Sequence, residues 1–230
     1  MPLIDAREQM IEQQVRAWDV LDARVLATLR SVPRERFVPE SQRFLAFADA
    51  EVPLPHSQRM LRPSVVGRLL QALELTGSER VLEVGSGSGF VTACLATSSA
   101  QVTSLEIHAD LADLARANLE AHGCRNVEVV TADAIRAGAQ LEPRAEAGAP
   151  SIAAAGFDAI AITGSLPVYD DRFQRLLTVG GRLFVVVGDA PVMDARLIRR
   201  ISEDGWVTES LFETVVDPLI NARRPAGFAF

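Results

Sequence analysis

Three glycines at alternate positions, Gly85, Gly87 and Gly89, follow an acid, Glu83, in the stretch Arg80-Val-Leu-Glu-Val-Gly-Ser-Gly-Ser-Gly-Phe90. A glycine turn lets backbone come close to a ligand, and the first N–H groups of a helix beyond it are unpaired, so this stretch can hold a nucleotide-like molecule. The spacing argues against two common nucleotide sites, since a dinucleotide fingerprint is G-x-G-x-x-G and a P-loop needs Gly-Lys-Ser/Thr. Two more acids stand at strand ends downstream. Glu106 closes the run Val102-Thr-Ser-Leu-Glu106, where a carboxylate can accept hydrogen bonds from both ribose hydroxyls of an adenosine. Asp133, in Thr131-Ala-Asp-Ala134, is placed to accept from an adenine amino group. Each feature alone also has a plainer reading, as an ordinary glycine turn, a solvated carboxylate or a turn aspartate. His56 has no partner visible in the sequence and reads as a packing or surface residue.

The elements that must position these groups alternate along the chain. Val81, Leu82 and Val84 form a short β-type run, and Phe90-Val-Thr-Ala-Cys-Leu-Ala beyond the glycines reads as helix. Residues 102–106 are a second strand, 109–121 a helix ending at the C-cap Gly123, and 127–130 a third strand. Residues 136–156, rich in Ala, Gly, Pro and Glu, read as an irregular or poorly ordered insertion. Phe157-Asp-Ala-Ile-Ala-Ile-Thr-Gly164 and Arg182-Leu-Phe-Val-Val-Val-Gly188 read as strands buried on both faces. A helix over 171–177 ending at Gly180-Gly181, another over 191–203, and edge strands near 206–215 and 226–230 complete the expectation. The fold class is α/β, a doubly wound, mostly parallel, Rossmann-like sheet.

Before the first strand, residues 4–30 read as two helices, with Ile11, Val15 and Trp18 on one and Val25, Leu26 and Leu29 on the other, Asp22 being the N-cap of the second. Prolines break the run at Val32-Pro-Arg-Glu-Arg-Phe-Val-Pro39, and Phe44, Leu45 and Phe47 are expected to pack this cap down. Val52-Pro-Leu-Pro-His-Ser-Gln-Arg-Met-Leu-Arg-Pro63 then crosses as an extended loop, delivered to the glycine turn by a helix over 64–73, and is where substrate contacts are expected. Residues 1–63 are thus read as a helical cap with a substrate loop, and 64–230 as the main domain.

A chain of 230 residues, 48% hydrophobic, can bury one substantial core. Its net charge of −7 and pI near 5.1 show no footprint for nucleic acid or an anionic membrane. Cys94 and Cys124 form no Cys-x-x-Cys or His/Cys cluster, so neither a disulfide framework nor a metal site is expected. The first residues lack a signal-peptide core and no apolar run reaches the roughly 18 residues of a membrane span, which leads to the expectation of a cytoplasmic protein.

The pattern E-x-G-x-G-x-G resembles the first motif of class I S-adenosylmethionine methyltransferases. With Val32-Pro-Arg-Glu-Arg-Phe-Val-Pro, Phe157-Asp-Ala-Ile and Gly180-Gly-Arg-Leu it resembles, in order and over nearly the whole chain, the protein-L-isoaspartate (D-aspartate) O-methyltransferase family. That resemblance implies S-adenosylmethionine as cofactor and esterification of stray isoaspartyl carboxylates in damaged proteins or peptides, the first step of their repair. It implies a cofactor set of Glu83, Gly85, Ser86, Gly87, Ser88 and Gly89, with Glu106, Ile107, Asp133, Ala134 and Thr163. On the acceptor side the chain departs from the family. The family's Thr-Ile-Ser loop is Arg59-Met60-Leu61 here, so Leu61 stands at the serine position, and Ile220 replaces a family threonine in Asp217-Pro-Leu-Ile220. Ser57, Gln58 and Arg59 are the candidates for orienting the acceptor, with Arg62 able, like Arg59, to clamp a carboxylate. A changed, small-molecule acceptor and a non-catalytic cofactor-binding module remain as alternative readings.

Overall fold

A computed structural model of the chain describes residues 3–136 and 156–225. A seven-stranded sheet runs in the order β5-β4-β3-β6-β7-β8-β9. Its strands are β3 (Arg80–Val84), β4 (Gln101–Glu106), β5 (Val127–Thr131), β6 (Phe157–Leu166), β7 (Leu177–Asp189), β8 (Val192–Ser202) and β9 (Gly205–Glu213). The five from β3 to β7 pair in parallel, and β8 and β9 add antiparallel pairs at one edge.

Side chains of the central strands alternate between two buried layers, as a period of two requires. Val81, Ala159, Ala161, Phe184 and Val186 face α1 (Leu3–Met10), α2 (Ala23–Ser31), α3 (Pro63–Leu73), α4 (Phe90–Thr97) and α5 (Ala109–His122). Leu82, Val84, Ile160, Ile162, Leu183 and Val185 face the other way, toward the one-turn helix α6 (Arg172–Arg175), Leu176 and Trp206. The strand ends carrying Glu106, Asp133 and Thr163 therefore lie side by side at one end of the sheet.

The N-terminal helices share the first of these layers. Between α1 and α2 the chain makes one wide turn, Ile11–Val15, and one tight one, Arg16–Trp18, which bury Ile11 and Val15. Asp22 caps α2 by accepting from the Arg24 backbone N–H at 2.8 Å. Asp22→Ala should lower stability by about 1 kcal/mol in urea denaturation, and an unchanged midpoint and slope would show that the cap does not hold this helix. Arg34 is fully buried, its guanidinium over the Phe90 ring at 5.1 Å, so the proline segment is pinned to the first residue of α4. Burial pushes its pKa down to about 10, which leaves it a cation at neutral pH. Leu45 and Phe47 pack on the core as expected, but Phe44 is exposed.

Three expectations need correction. The stretch 191–203 is not a helix but carries strand β8, paired with β7 from Asp189↔Val192 to Arg182↔Arg199. Met193, Ala195 and Leu197 are buried at every second position, the period of a strand and not of a helix. The helix expected over 171–177 is only the single turn α6, and Gly180-Gly181 lies inside β7, where the register against β6 shifts between Phe157↔Leu177 and Ala159↔Arg182. There the backbone comes too close for a side chain, since a Cβ on Gly181 would sit 2.9 Å from the Thr178 carbonyl oxygen. The stretch 52–63 is a small hairpin, β1 (Val52–Pro53) paired with β2 (Arg59–Met60), with His56 and Ser57 at positive φ in its turn. The expected insertion at 136–156, apart from its ends, and the strand at 226–230 lie outside the described residues.

Candidate active site

The cavity at this end of the sheet has an empty volume of about 790 Å³ including its mouth. Its floor is the end of β3. Gly85 takes φ +98°, donates its N–H to the Leu105 carbonyl at 2.8 Å, and has its own carbonyl and that of Val84 capped by the Thr163 hydroxyl at 2.8 and 2.9 Å. A Cβ on Gly85 would lie 2.3 Å from the Thr163 oxygen, so only glycine leaves this three-strand junction intact.

Glu106 ties the glycine turn to β4. One oxygen accepts the Gly87 N–H at 2.9 Å and the other the His108 N–H at 3.1 Å. A carboxylate has about four acceptor sites, so two remain on a group that also lines the cavity. That matches the two hydroxyls of an adenosine ribose. Asp133 lines the cavity too, held by the Ile135 and Arg136 N–H groups at 3.0 and 3.1 Å and by the Asn221 amide at 2.7 Å. Ile107, Ala134 and Thr163 complete the residues that sequence reasoning placed here and the fold brings together.

Glu83, Ser86, Ser88 and Gly89 do not line the cavity. Glu83 is fully buried on the helix side of the sheet, where one oxygen accepts from the Thr92 hydroxyl at 2.6 Å and the Ser104 hydroxyl at 2.5 Å. Burial pushes its pKa up to about 8, against the lowering effect of these two hydrogen bonds. The Ser86 hydroxyl meets that of Ser104, the Ser88 carbonyl accepts from Asn118, and Gly89 caps α4 at φ +84°. These four build the turn from beneath.

The roof comes from the hairpin β1–β2, whose Leu54, Gln58, Arg59 and Leu61 reach the cavity. Ser57 does not. Residues 216–220 close the remaining side, held across the end of β6 by Ser165, whose N–H donates to the Asp217 carbonyl and whose carbonyl accepts from Leu219 N–H, both at 2.9 Å. Arg59 clasps hairpin to segment, with Glu51 at 3.5 Å and Asp217 at 3.2 Å. At the hairpin turn the His56 ring stacks on His108 at 4.0 Å and its Nε2 meets Asp110 at 2.8 Å. Thus His56 does have partners, at the start of α5, which no local pattern announces. Leu54 belongs to the loop expected to meet the substrate, whereas Glu51 and Ile135 line the cavity without any sequence signal; of the closing segment, only Asp217-Pro-Leu-Ile220 carried one.

Among the described residues, no cluster of three or more His, Cys, Asp or Glu is placed to hold a metal ion, and no helix is long and apolar enough to cross a membrane.

Comparison with known proteins gives a consistent set of likenesses. Residues 5–223 match the model of the family Protein-L-isoaspartate(D-aspartate) O-methyltransferase. Protein-L-isoaspartate O-methyltransferase 1 of Rhodopseudomonas palustris (strain HaA2) is 40% identical over 225 residues, which cover 97% of this chain and 86% of that one. The protein-L-isoaspartate O-methyltransferase of Methanoculleus marisnigri is 37% identical over 201 residues, covering 87% and 84%. Among solved structures, a Plasmodium falciparum chain assigned to the same activity and bound to S-adenosyl-L-homocysteine superposes with a TM-score of 0.74 over 93% of this chain and 97% of that one. At 20% identity that likeness speaks for the fold alone.

Proposed function

The chain belongs to the protein-L-isoaspartate(D-aspartate) O-methyltransferase family and is an S-adenosylmethionine-dependent methyltransferase of protein repair; from that premise we propose how its own residues divide the work. The observation that carries the division is the Glu106 carboxylate, set between the glycine turn and the cavity with two acceptor sites left over. Glu106 holds the ribose of the cofactor, Asp133 its adenine amino group, and the backbone at Gly85 and Gly87 lies along it. Ile107, Ala134 and Thr163 shape the same wall. Glu83, Ser86, Ser88 and Gly89 act on the cofactor only through the shape of the turn.

When bound, S-adenosylmethionine supplies a methyl group on a sulfonium, a leaving group that needs no proton. An isoaspartyl carboxylate is ionised at neutral pH and needs no general base. The chain's task is then to hold the acceptor in line and keep water out. Leu54 and Leu61 supply an apolar roof for the second purpose, while Gln58 and Arg59 stand at the mouth for the first. The acceptor is an isoaspartyl residue in a protein or peptide.

Tritiated S-adenosylmethionine offered to an isoaspartyl peptide and to its normal aspartyl twin tests this acceptor. Base-labile label should appear on the first and not on the second; label on neither, or on both alike, would remove it. In the same assay Arg59→Ala should lower kcat/KM about tenfold, a loss near 1.4 kcal/mol, with cofactor affinity kept. Loss of cofactor affinity instead would make Arg59 a strut of the cavity and not a group that orients the acceptor.

A further inference from the structure

The cofactor cavity shares Glu51 and Arg59 with a second, open groove that runs on past Arg62, Pro191, Glu213 and Thr214. The two arginines of this groove differ. Arg59 already faces two carboxylates, whereas Arg62 has none within ion-pairing distance among the described residues. Arg62 is nonetheless fixed in place. One Nη donates to the Thr214 hydroxyl at 3.1 Å, and the guanidinium lies over the Trp18 ring at 5.6 Å. A guanidinium carries five N–H donors in a planar fork, so most of them stay available for a bidentate partner. A half-buried cation held still, with Glu51 near enough to feel its charge but no carboxylate in direct contact, is preorganised for an anion, because little side-chain freedom is left to lose on binding.

We propose that Arg62 is a specificity-determining residue that binds a second carboxylate of the acceptor polypeptide, on a side chain close to the reacting residue, so that the enzyme favours isoaspartyl sites with an acidic neighbour. This rests on the reading that the acceptor is an isoaspartyl polypeptide. Arg62 lines the groove and not the cofactor cavity, which separates it from the carboxylate that reacts. The groove begins where the cavity opens, and an extended polypeptide advances about 3.3 Å per residue, so a chain anchored at the cavity reaches the groove within a few residues. The other charges there define the position. Glu51 is paired with Arg59 and only distantly with Arg62, and Glu213, exposed at the end of β9, repels a carboxylate that is not seated on Arg62.

The test uses isoaspartyl peptides identical except for Glu, Gln or Lys at one position, scanned over the two residues on either side, with kcat and KM measured separately at low ionic strength. The wild-type enzyme should favour the Glu peptide over its Gln twin roughly five- to tenfold at one of these positions, in KM and not in kcat, and added salt should shrink the ratio. Arg62→Gln should bring the ratio to about one, and Arg62→Glu should turn the preference toward Lys. Each ratio is taken within one enzyme, so a partly unfolded variant does not distort it. A wild-type ratio near one at every position, or a ratio that survives in Arg62→Gln, overturns the inference and leaves isoaspartyl methylation standing. Methylation of no peptide by the wild-type enzyme removes the acceptor reading, and this inference with it.

Discussion

Alanine in place of Glu106 should weaken S-adenosylmethionine binding by one to two decades when measured by calorimetry. Hydrogen bonds to a charged acceptor contribute roughly 1.5–3 kcal/mol, and the two free acceptor sites of this carboxylate are the ones assigned to the ribose hydroxyls. The structure adds a second source of loss. The same carboxylate holds the N–H groups of Gly87 and His108, so its removal also loosens the turn that approaches the cofactor. The two contributions separate with 2′-deoxy and 3′-deoxy analogues of the cofactor. If the ribose contacts are real, each analogue binds the wild-type enzyme more weakly than the parent does, and the alanine variant no longer tells them apart. Unchanged cofactor affinity in the variant would refute the assignment outright.

Most of what positions this site was legible in the sequence because it is local. The strand, glycine turn and helix around Gly85 carry their own period and punctuation, and Glu106 and Asp133 stand at the ends of β-type runs that the fold lines up. What stayed hidden depends on partners distant in the chain. That residues 216–220 lie across the end of β6, that Glu51 and Asp217 both meet Arg59, and that Arg62 meets Trp18 and Thr214 are facts of tertiary packing. Strand β8 was missed for another reason. Its run Val-Met-Asp-Ala-Arg-Leu-Ile-Arg-Arg-Ile mixes apolar residues and arginines closely enough to suit either period, and pairing with β7 decides it. Glu83 lies away from the cavity, as the strand's period indicates. Successive strand residues face opposite sides, so Glu83 shares the side of Val81, toward α4, while Leu82 and Val84 face the opposite layer.

That buried position gives Glu83 its own consequence for stability. Its carboxyl ordinarily titrates near 4.5, and in the fold burial holds the proton until about pH 8. A group whose folded pKa is raised contributes its stability fully below the unfolded value and loses it as pH rises through the folded one. The whole span corresponds to a loss on the order of 4–5 kcal/mol, of which about 2.5 kcal/mol falls between pH 6 and pH 8, above the pI of about 5.1 and so clear of the point of least net charge. Glutamine has the shape of the protonated acid, keeps an oxygen to accept from Thr92 and Ser104, and cannot ionise. Urea denaturation from pH 6 to pH 9 should therefore show Glu83→Gln gaining on the wild type as pH rises, with the gap levelling off above about pH 8 once the wild-type proton is gone. Profiles that stay parallel across this range would mean that Glu83 has the same pKa folded and unfolded, and that the hydroxyls of Thr92 and Ser104 suffice to keep its charged form beneath the glycine turn.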